Sequence, residues 1–219
     1  MDLSVLLDSI PVYARAAVLT IQIAAAGIVL SLVVGILCAT AAYFRIPVLR
    51  EVMAGYIEVS RNTPLLVQLF FLYFGLPKLG LVLDSRLCAI VGLAFLGGSY
   101  MAEAIRSGLE AIEPIQLQTA LSLGMSRGDA LRHVILPQAL SISMPALSAN
   151  VIFLVKETSV VSVVALPDLM FVAKEQIGST YDTAEALTLL VVFYLVILLP
   201  LSLGAGELER RVRYASFGN

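Results

Sequence analysis

Charged residues are spaced so unevenly along this chain that they divide it into five apolar stretches. Residues 16–44 run for 29 positions without Asp, Glu, Lys or Arg, and further gaps cover 62–77 (16 positions), 87–102 (16), 133–155 (23) and 186–206 (21). A hydrocarbon core of about 30 Å is crossed by roughly 20 helical residues at about 1.5 Å each. The two shorter gaps reach that length by admitting a charge that faces the bundle interior. The pattern therefore predicts five spanning helices, at about 16–43, 53–77, 86–108, 134–156 and 184–206. The first is long enough to be tilted or to extend into the interface. Barrel strands would need polarity alternating over about 10 residues. Stretches such as Leu187–Leu203 have no such alternation, so the expected class is an all-α integral membrane protein.

Composition agrees. The chain of 219 residues is 59% hydrophobic and 14% charged, against roughly 45–50% and about 25% in soluble domains. Disorder is excluded, because disordered chains are poor in apolar residues. With 14 Lys+Arg against 16 Asp+Glu there is no basic excess of the kind a nucleic-acid binder carries. Cys38 and Cys88 are too few for a disulfide framework or a cysteine zinc site, and His133, the only histidine, has no partner for metal binding.

Basic residues favour cytoplasmic loops. With the N-terminus outside, the inner segments hold Arg45, Arg50, Arg106, Arg127, Arg132, Arg210, Arg211 and Arg213, against Arg15, Lys78, Arg86, Lys156 and Lys174 outside. The expected topology is N-terminus out, C-terminus in. Met1-Asp2-Leu3-Ser4 lacks a basic leader region, so the first helix is expected to be retained, and residues 1–219 are expected to form one transmembrane domain. Gly27, Ser31, Gly35 and Ala39 recur every four residues on that helix. Such a stripe lets a second helix approach closely.

Charges and backbone breaks at membrane depth mark candidate chemistry. Glu58 and Arg61, three residues apart, are placed to neutralise each other, and Glu103 suits helix packing or, as the alternative, a gate. Pro64 removes a backbone donor, and irregular backbone is tolerated at that depth where it lines a cavity. Asn62 and Thr63 beside the break are candidate substrate contacts. So are Lys156, Glu157, Thr158 and Ser159 at the end of the fourth span, where a neighbouring Lys and Glu match the two charges of a zwitterion. Between the third and fourth spans, residues 109–133 read as two short helices around Gly124, the second over about Arg127–His133, with Pro137 near the start of the next span. That arrangement fits either an interfacial loop or a docking element.

The run Gln118-Thr119-Ala120-x3-Gly124-x9-Val134-Ile135-Leu136-Pro137-Gln138-Ala139 resembles the EAA signature of ATP-binding-cassette (ABC) importer permeases, and more narrowly their polar amino acid uptake branch. Arg61-Asn62-Thr63-Pro64-Leu65-Leu66-Val67-Gln68 resembles that branch's R-G-T-P-L-L-V-Q run. Tyr100-Met101-Ala102-Glu103 with Arg106-Ser107-Gly108, and Lys156-Glu157-Thr158-Ser159, resemble two further motifs in the same order. The chain departs from the signature at Gln118 (Glu in the family), Thr119 (Ala), Ile115 (Gly) and Asn62 (Gly). The resemblance implies a type I importer permease in a bacterial inner membrane, with a cytoplasmic coupling helix in which Gln118, Thr119, Ala120, Gly124, Met125 and Pro137 take part. It also implies two separate ATPase subunits using ATP and Mg, a second permease subunit (identical or related) and an extracytoplasmic solute-binding protein. The substrate would be a polar amino acid, with an opine, a sulfur amino acid or another small zwitterion as alternatives. No cofactor is expected on this chain, since it lacks the G-x-x-x-x-G-K-[ST] phosphate loop. An ion-coupled secondary transporter is the rival architecture, but the Asn62-Thr63-Pro64 pattern has no second copy. An intramembrane enzyme is a further rival, but H-E-x-x-H is absent and the single histidine, His133, offers little acid–base chemistry.

Overall fold

The computed structural model describes residues 2–44 and 46–217, with side chains as far as Val212. Arg45 therefore lies outside the described residues, and so does the side chain of Arg213. Every regular element among the described residues is helical. Helix α1 (Leu3–Tyr43) opens on Asp2, whose carboxylate accepts from the Ser4 N–H at 2.9 Å, and so starts well before the predicted residue 16. Helices α2 (Leu49–Arg61) and α3 (Leu65–Phe70) divide the span predicted at 53–77 between them. They are followed by a π turn over Phe71–Gly75 and a 3-10 turn over Leu76–Leu79. Helix α4 (Ser85–Glu110) is capped by Asp84, which accepts from the Leu87 N–H at 2.7 Å. Helices α5 (Pro114–Ser122) and α6 (Arg127–Ala130) come next, and α6 runs through a π turn at Leu131–Ile135 straight into α7 (Leu136–Glu157). A 3-10 turn over Thr158–Val164 leads to α8 (Leu169–Thr180) and α9 (Thr183–Phe217).

Among the described residues, four continuous helical stretches are long and apolar enough to cross a membrane: Leu3–Tyr43, Ser85–Glu110, Arg127–Val164 and Thr183–Val212. The expected fifth, at 53–77, is not one helix. Pro64 disfavours the helical conformation at Thr63 and brings no N–H of its own, and its own backbone is extended (φ −59°, ψ 142°). The expected short helix over Arg127–His133 is also corrected. It has no stop at His133, because nothing between Ala130 and Leu136 interrupts the backbone hydrogen-bond ladder, so α6 and α7 are one continuous run.

Helix α4 is the hub. The small stripe of α1 packs on it: a side chain at Gly35 would meet Met101 Cβ at 2.6 Å, and the Ser31 hydroxyl donates to the Leu93 carbonyl at 3.2 Å. Ile23, Leu93, Leu96, Met101, Leu154 and Val161 form the main core around this contact. A second core gathers Tyr13, Leu169, Ala173 and Leu189 where α1, α8 and α9 meet. The opposite side of α9, with Val191, Leu195, Val196, Leu199 and Leu203, is exposed and apolar, as a lipid-facing surface must be.

Helix α8 falls in a segment read only as a connection. Its signal is nonetheless present: Asp168 caps it, accepting from the Phe171 N–H at 2.9 Å. Leu169, Val172, Ala173 and Gln176 then follow at helical spacing, and all but Gln176 pack in the second core. The Gln176 side chain accepts from the Tyr13 hydroxyl at 2.9 Å.

Candidate functional site

The break between α2 and α3 is held open by side chains. Gln68, one turn into α3, donates from Nε2 to the carbonyls of Ser60 (3.1 Å) and Thr63 (2.9 Å), two acceptors that the interrupted ladder leaves free. The Thr63 hydroxyl donates to the Val59 carbonyl at 2.8 Å, and Asn62 Nδ2 donates to the Glu58 carbonyl at 2.8 Å and to Glu58 Oε1 at 3.1 Å. On the α4 side, Ser60 Oγ and Tyr56 OH both donate to the Phe95 carbonyl, at 2.9 and 2.6 Å.

A cavity of about 370 Å³ sits against this break, and Arg61, Asn62, Thr63, Tyr100, Phe153 and Glu157 are on its wall. Two of the sequence candidates, the Pro64 break and the end of the fourth apolar stretch, thus meet in one space although nearly a hundred residues separate them. The Arg61 guanidinium lies over the Tyr100 ring, 5.3 Å from its centre, and Nη1 is 3.9 Å from the Glu103 carboxylate. Glu157 is half-buried and, among the described residues, has neither an ion-pair nor a hydrogen-bond partner. The cavity therefore offers a loosely held guanidinium and an unpaired carboxylate, which together match a molecule carrying both charges.

Three expectations need correction. Arg61 pairs with Glu103 rather than Glu58, because Asn62 at the end of α2 occupies the Glu58 carboxylate while Arg61 turns toward α4. Lys156 is exposed and absent from the cavity wall, since consecutive positions at the end of α7 face different ways. Thr158 is buried, its hydroxyl donating to the Val155 carbonyl at 2.7 Å, and Ser159 is also absent from the wall. Of the four residues at that motif, Glu157 alone reaches the cavity. Glu103 is ion-paired: Arg106 grips both its oxygens, with Nε at 3.2 Å, and also holds Glu110 at 2.6 Å. Sequence reasoning missed Tyr100, Phe153 and the bracing role of Gln68, although a glutamine four residues after a proline in an apolar run is a legible signal.

The other candidate element lies at the end of the bundle where α5 and α6 connect α4 to α7. Gln118 and Thr119 are exposed on α5, Ala120 is its one buried residue, and Ile115 and Leu123 are exposed apolar side chains. Gly124 follows with φ +84°, a left-handed conformation that favours glycine, and a Cβ there would meet nothing within 4 Å. The Met125 N–H donates to the Ala120 carbonyl at 3.2 Å, Met125 is half-buried, and Pro137 is exposed in the first turn of α7. The Nδ1 of His133 lies 3.1 Å from the Asp129 carbonyl, and among the described residues no group of His, Cys, Asp and Glu is arranged to hold a metal.

Residues 31–214 match the model of a family described as binding-protein-dependent transport system inner membrane component. The chain is 35% identical over 215 residues to "Probable glutamine ABC transporter permease protein GlnM" of Bacillus subtilis (strain 168), covering 97% of this chain and 98% of that protein. It is 34% identical over 214 residues to the glutamine transport system permease protein GlnP of Escherichia coli (strain K12), again covering 97% and 98%. Among solved structures, a crystal structure of an amino acid ABC transporter with histidines superposes with a TM-score of 0.89 at 32% identity, covering 96% of this chain and 99% of that one.

Proposed function

Because the chain belongs to the family of binding-protein-dependent transport system inner membrane components, we propose that the cavity beside Pro64 is where a polar amino acid passes through the membrane. Family members are permease subunits of ABC transporters, so this chain is a multi-pass membrane subunit and not itself an enzyme. The observation that carries the substrate reading is the pairing of charges in one cavity: Arg61 for the carboxylate and the unpaired Glu157 for the ammonium. The names of the relatives, which include glutamine permeases, support a polar side chain.

The broken α2–α3 segment makes the fifth crossing of a single transmembrane domain spanning residues 1–219. Its irregular backbone is tolerated there because it lines the cavity and Gln68 satisfies its carbonyls. The N-terminus and α8 lie on the extracytoplasmic side, and α5, α6 and the end of α9 with Arg210 and Arg211 lie in the cytoplasm. Helix α5 and the Gly124 turn dock one of two ATPase subunits, which supply the ATP and Mg chemistry. The exposed Ile115, Gln118, Thr119 and Leu123 form the face available to it. A second permease subunit completes the pathway, and a solute-binding protein delivers the amino acid from outside.

The test is substrate dependence of uptake by the assembled transporter in proteoliposomes. Removing one charged hydrogen bond costs about 1.5–3 kcal/mol, or roughly 10- to 150-fold in affinity. Glu157→Gln and Arg61→Met should each raise the half-saturating glutamine concentration by that order, while Lys156→Met, on the outer surface of α7, should leave it unchanged. Unaltered concentration dependence in both cavity variants would remove the amino acid from this cavity.

A further inference from the structure

A second cavity, of about 600 Å³, opens where the end of α1, α2 and the end of α4 converge. Cys38 and Met53 are on its apolar side, and Arg50, Glu58, Arg106 and Glu110 on its charged side. It shares no wall residue with the cavity beside Pro64. Two contacts nevertheless cross between them. Glu103 lies on neither wall yet pairs with Arg61 of the first cavity and with Arg106 of the second. Asn62 of the first donates to Glu58 of the second at 3.1 Å. Polar side chains thus link the walls of the two cavities.

We propose that the second cavity is a further station for the zwitterion on the cytoplasmic side of the first, and that the Arg61–Glu103 pair is the partition between them. This rests on the first cavity being the amino acid's. The substrate opens the partition by exchanging partners: its carboxylate takes Arg61 and its ammonium takes Glu103. Neither Arg61 nor Glu103 is left without an opposite charge in the exchange, at a depth where a bare charge is costly. The geometry also selects which contact opens. Arg61 and Glu103 stand 3.9 Å apart, whereas Arg106 grips both oxygens of Glu103 and holds Glu110 at 2.6 Å. The loosest link in the network is the one that separates the cavities. Arg106, braced from both sides, keeps Glu103 in place while its other partner leaves.

The experiment reads the partition by thiol access, and the substrate enters only in a separate protection measurement. In the transporter assembled with its ATPase subunits, Cys38→Ala and Cys88→Ala remove the native thiols, and Leu66→Cys places one thiol on the wall of the first cavity. A charged, membrane-impermeant methanethiosulfonate is then added from the cytoplasmic side of proteoliposomes. In this background labelling should be slow. Glu103→Gln and Arg61→Met should each speed it about tenfold or more, equivalent to lowering the access barrier by about 1.4 kcal/mol. Glu103→Asp, which keeps the charge, should label as slowly as the parent. An unshifted thermal midpoint confirms that each variant is folded. If either Glu103→Gln or Arg61→Met labels at the parent rate, the pair is not the partition. Glutamine should protect the same thiol in the background protein. Loss of that protection, with the variant rates as expected, would overturn the reading of the first cavity while leaving the partition standing.

Discussion

Helix α4 presents two faces that are packed by opposite means. Toward α1 the contact is made by absent side chains: a Cβ at Gly35 would stand 2.9 Å from the Ala102 nitrogen, and Gly27 faces Leu93. Toward α2 the contact is made by polar side chains: Tyr56 and Ser60 share the Phe95 carbonyl, and Arg61 reaches Glu103. Gly98 lies between the two, with Val34 and the Tyr56 hydroxyl both at 2.6 Å from where its Cβ would stand. In lipid the hydrophobic effect does not drive helices together, so close van der Waals contact and hydrogen bonds must do so. The first kind of contact leaves no room to rearrange. The second consists of separable links, and it lies beside the cavity. The difference separates a rigid scaffold from a segment able to change partners.

The contrast is broken most severely at Gly35. Gly35→Val would drive its methyl groups into the α4 backbone, which cannot yield as a flexible side chain does. The expected outcome is loss of monodisperse, thermally cooperative protein in detergent. Gly204→Val on α9, where a Cβ meets nothing within 4 Å, should give normal yield. Survival of the Gly35 variant with an unchanged midpoint would mean that the α1–α4 contact is not rigid.

Gln68→Leu tests the other face. It leaves the Ser60 and Thr63 carbonyls without their donor, at about 1–3 kcal/mol for each buried group. We expect folded protein with a lowered midpoint and amino acid uptake reduced by more than about tenfold, because the cavity wall is built on that break. A lowered midpoint with full uptake would reduce Gln68 to scaffold.

Gly124→Asp acts away from both faces. The turn has φ +84° and open space around it, so backbone strain on the order of 1 kcal/mol is the expected cost to folding. Its larger effect should be on coupling: membrane insertion retained, with ATPase co-purification and substrate-stimulated hydrolysis falling several-fold. Full coupling in an inserted variant would move the ATPase contact elsewhere.

The smallest effect is expected at Asp168, whose Oδ1 caps α8 while its buried Oδ2 has no partner. Burial pushes this carboxyl up to about 6 from an ordinary 3.8. For an acid shifted upward, the cost to the fold is absent below the ordinary value, grows as pH rises through that interval, and is complete above the raised value. Asp168→Asn keeps the cap acceptor and removes the charge. It should raise the thermal midpoint at pH 8 by a few degrees and by clearly less near pH 4.5. An equal shift at both values would show that the carboxylate is not held at a cost.

The long apolar helices Ser85–Glu110, Arg127–Val164 and Thr183–Val212 and the stripe on α1 were legible because lipid imposes a one-dimensional rule: about 20 residues without charge, with small residues where helices touch. The turn between α5 and α6 was legible because Pro114 and Gly124 punctuate the backbone locally. Helix α8 was legible in principle, from Asp168 and the spacing of its apolar residues, but a length rule for spans overlooks a twelve-residue helix. The charge partners are a different matter. Spacing along one helix put Arg61 with Glu58, and adjacency in sequence put Lys156 with Glu157, whereas the fold gives Arg61 to Glu103 and sends Lys156 to the outside. The amino-acid sequence by itself determined which segments are apolar enough for lipid and where the backbone must bend, because desolvation of backbone and charge acts on each segment separately. Which charges meet around the cavity was decided only by the tertiary structure. Long side chains such as Arg61 choose among anions on neighbouring helices, and which anion lies within 4 Å depends on how those helices pack.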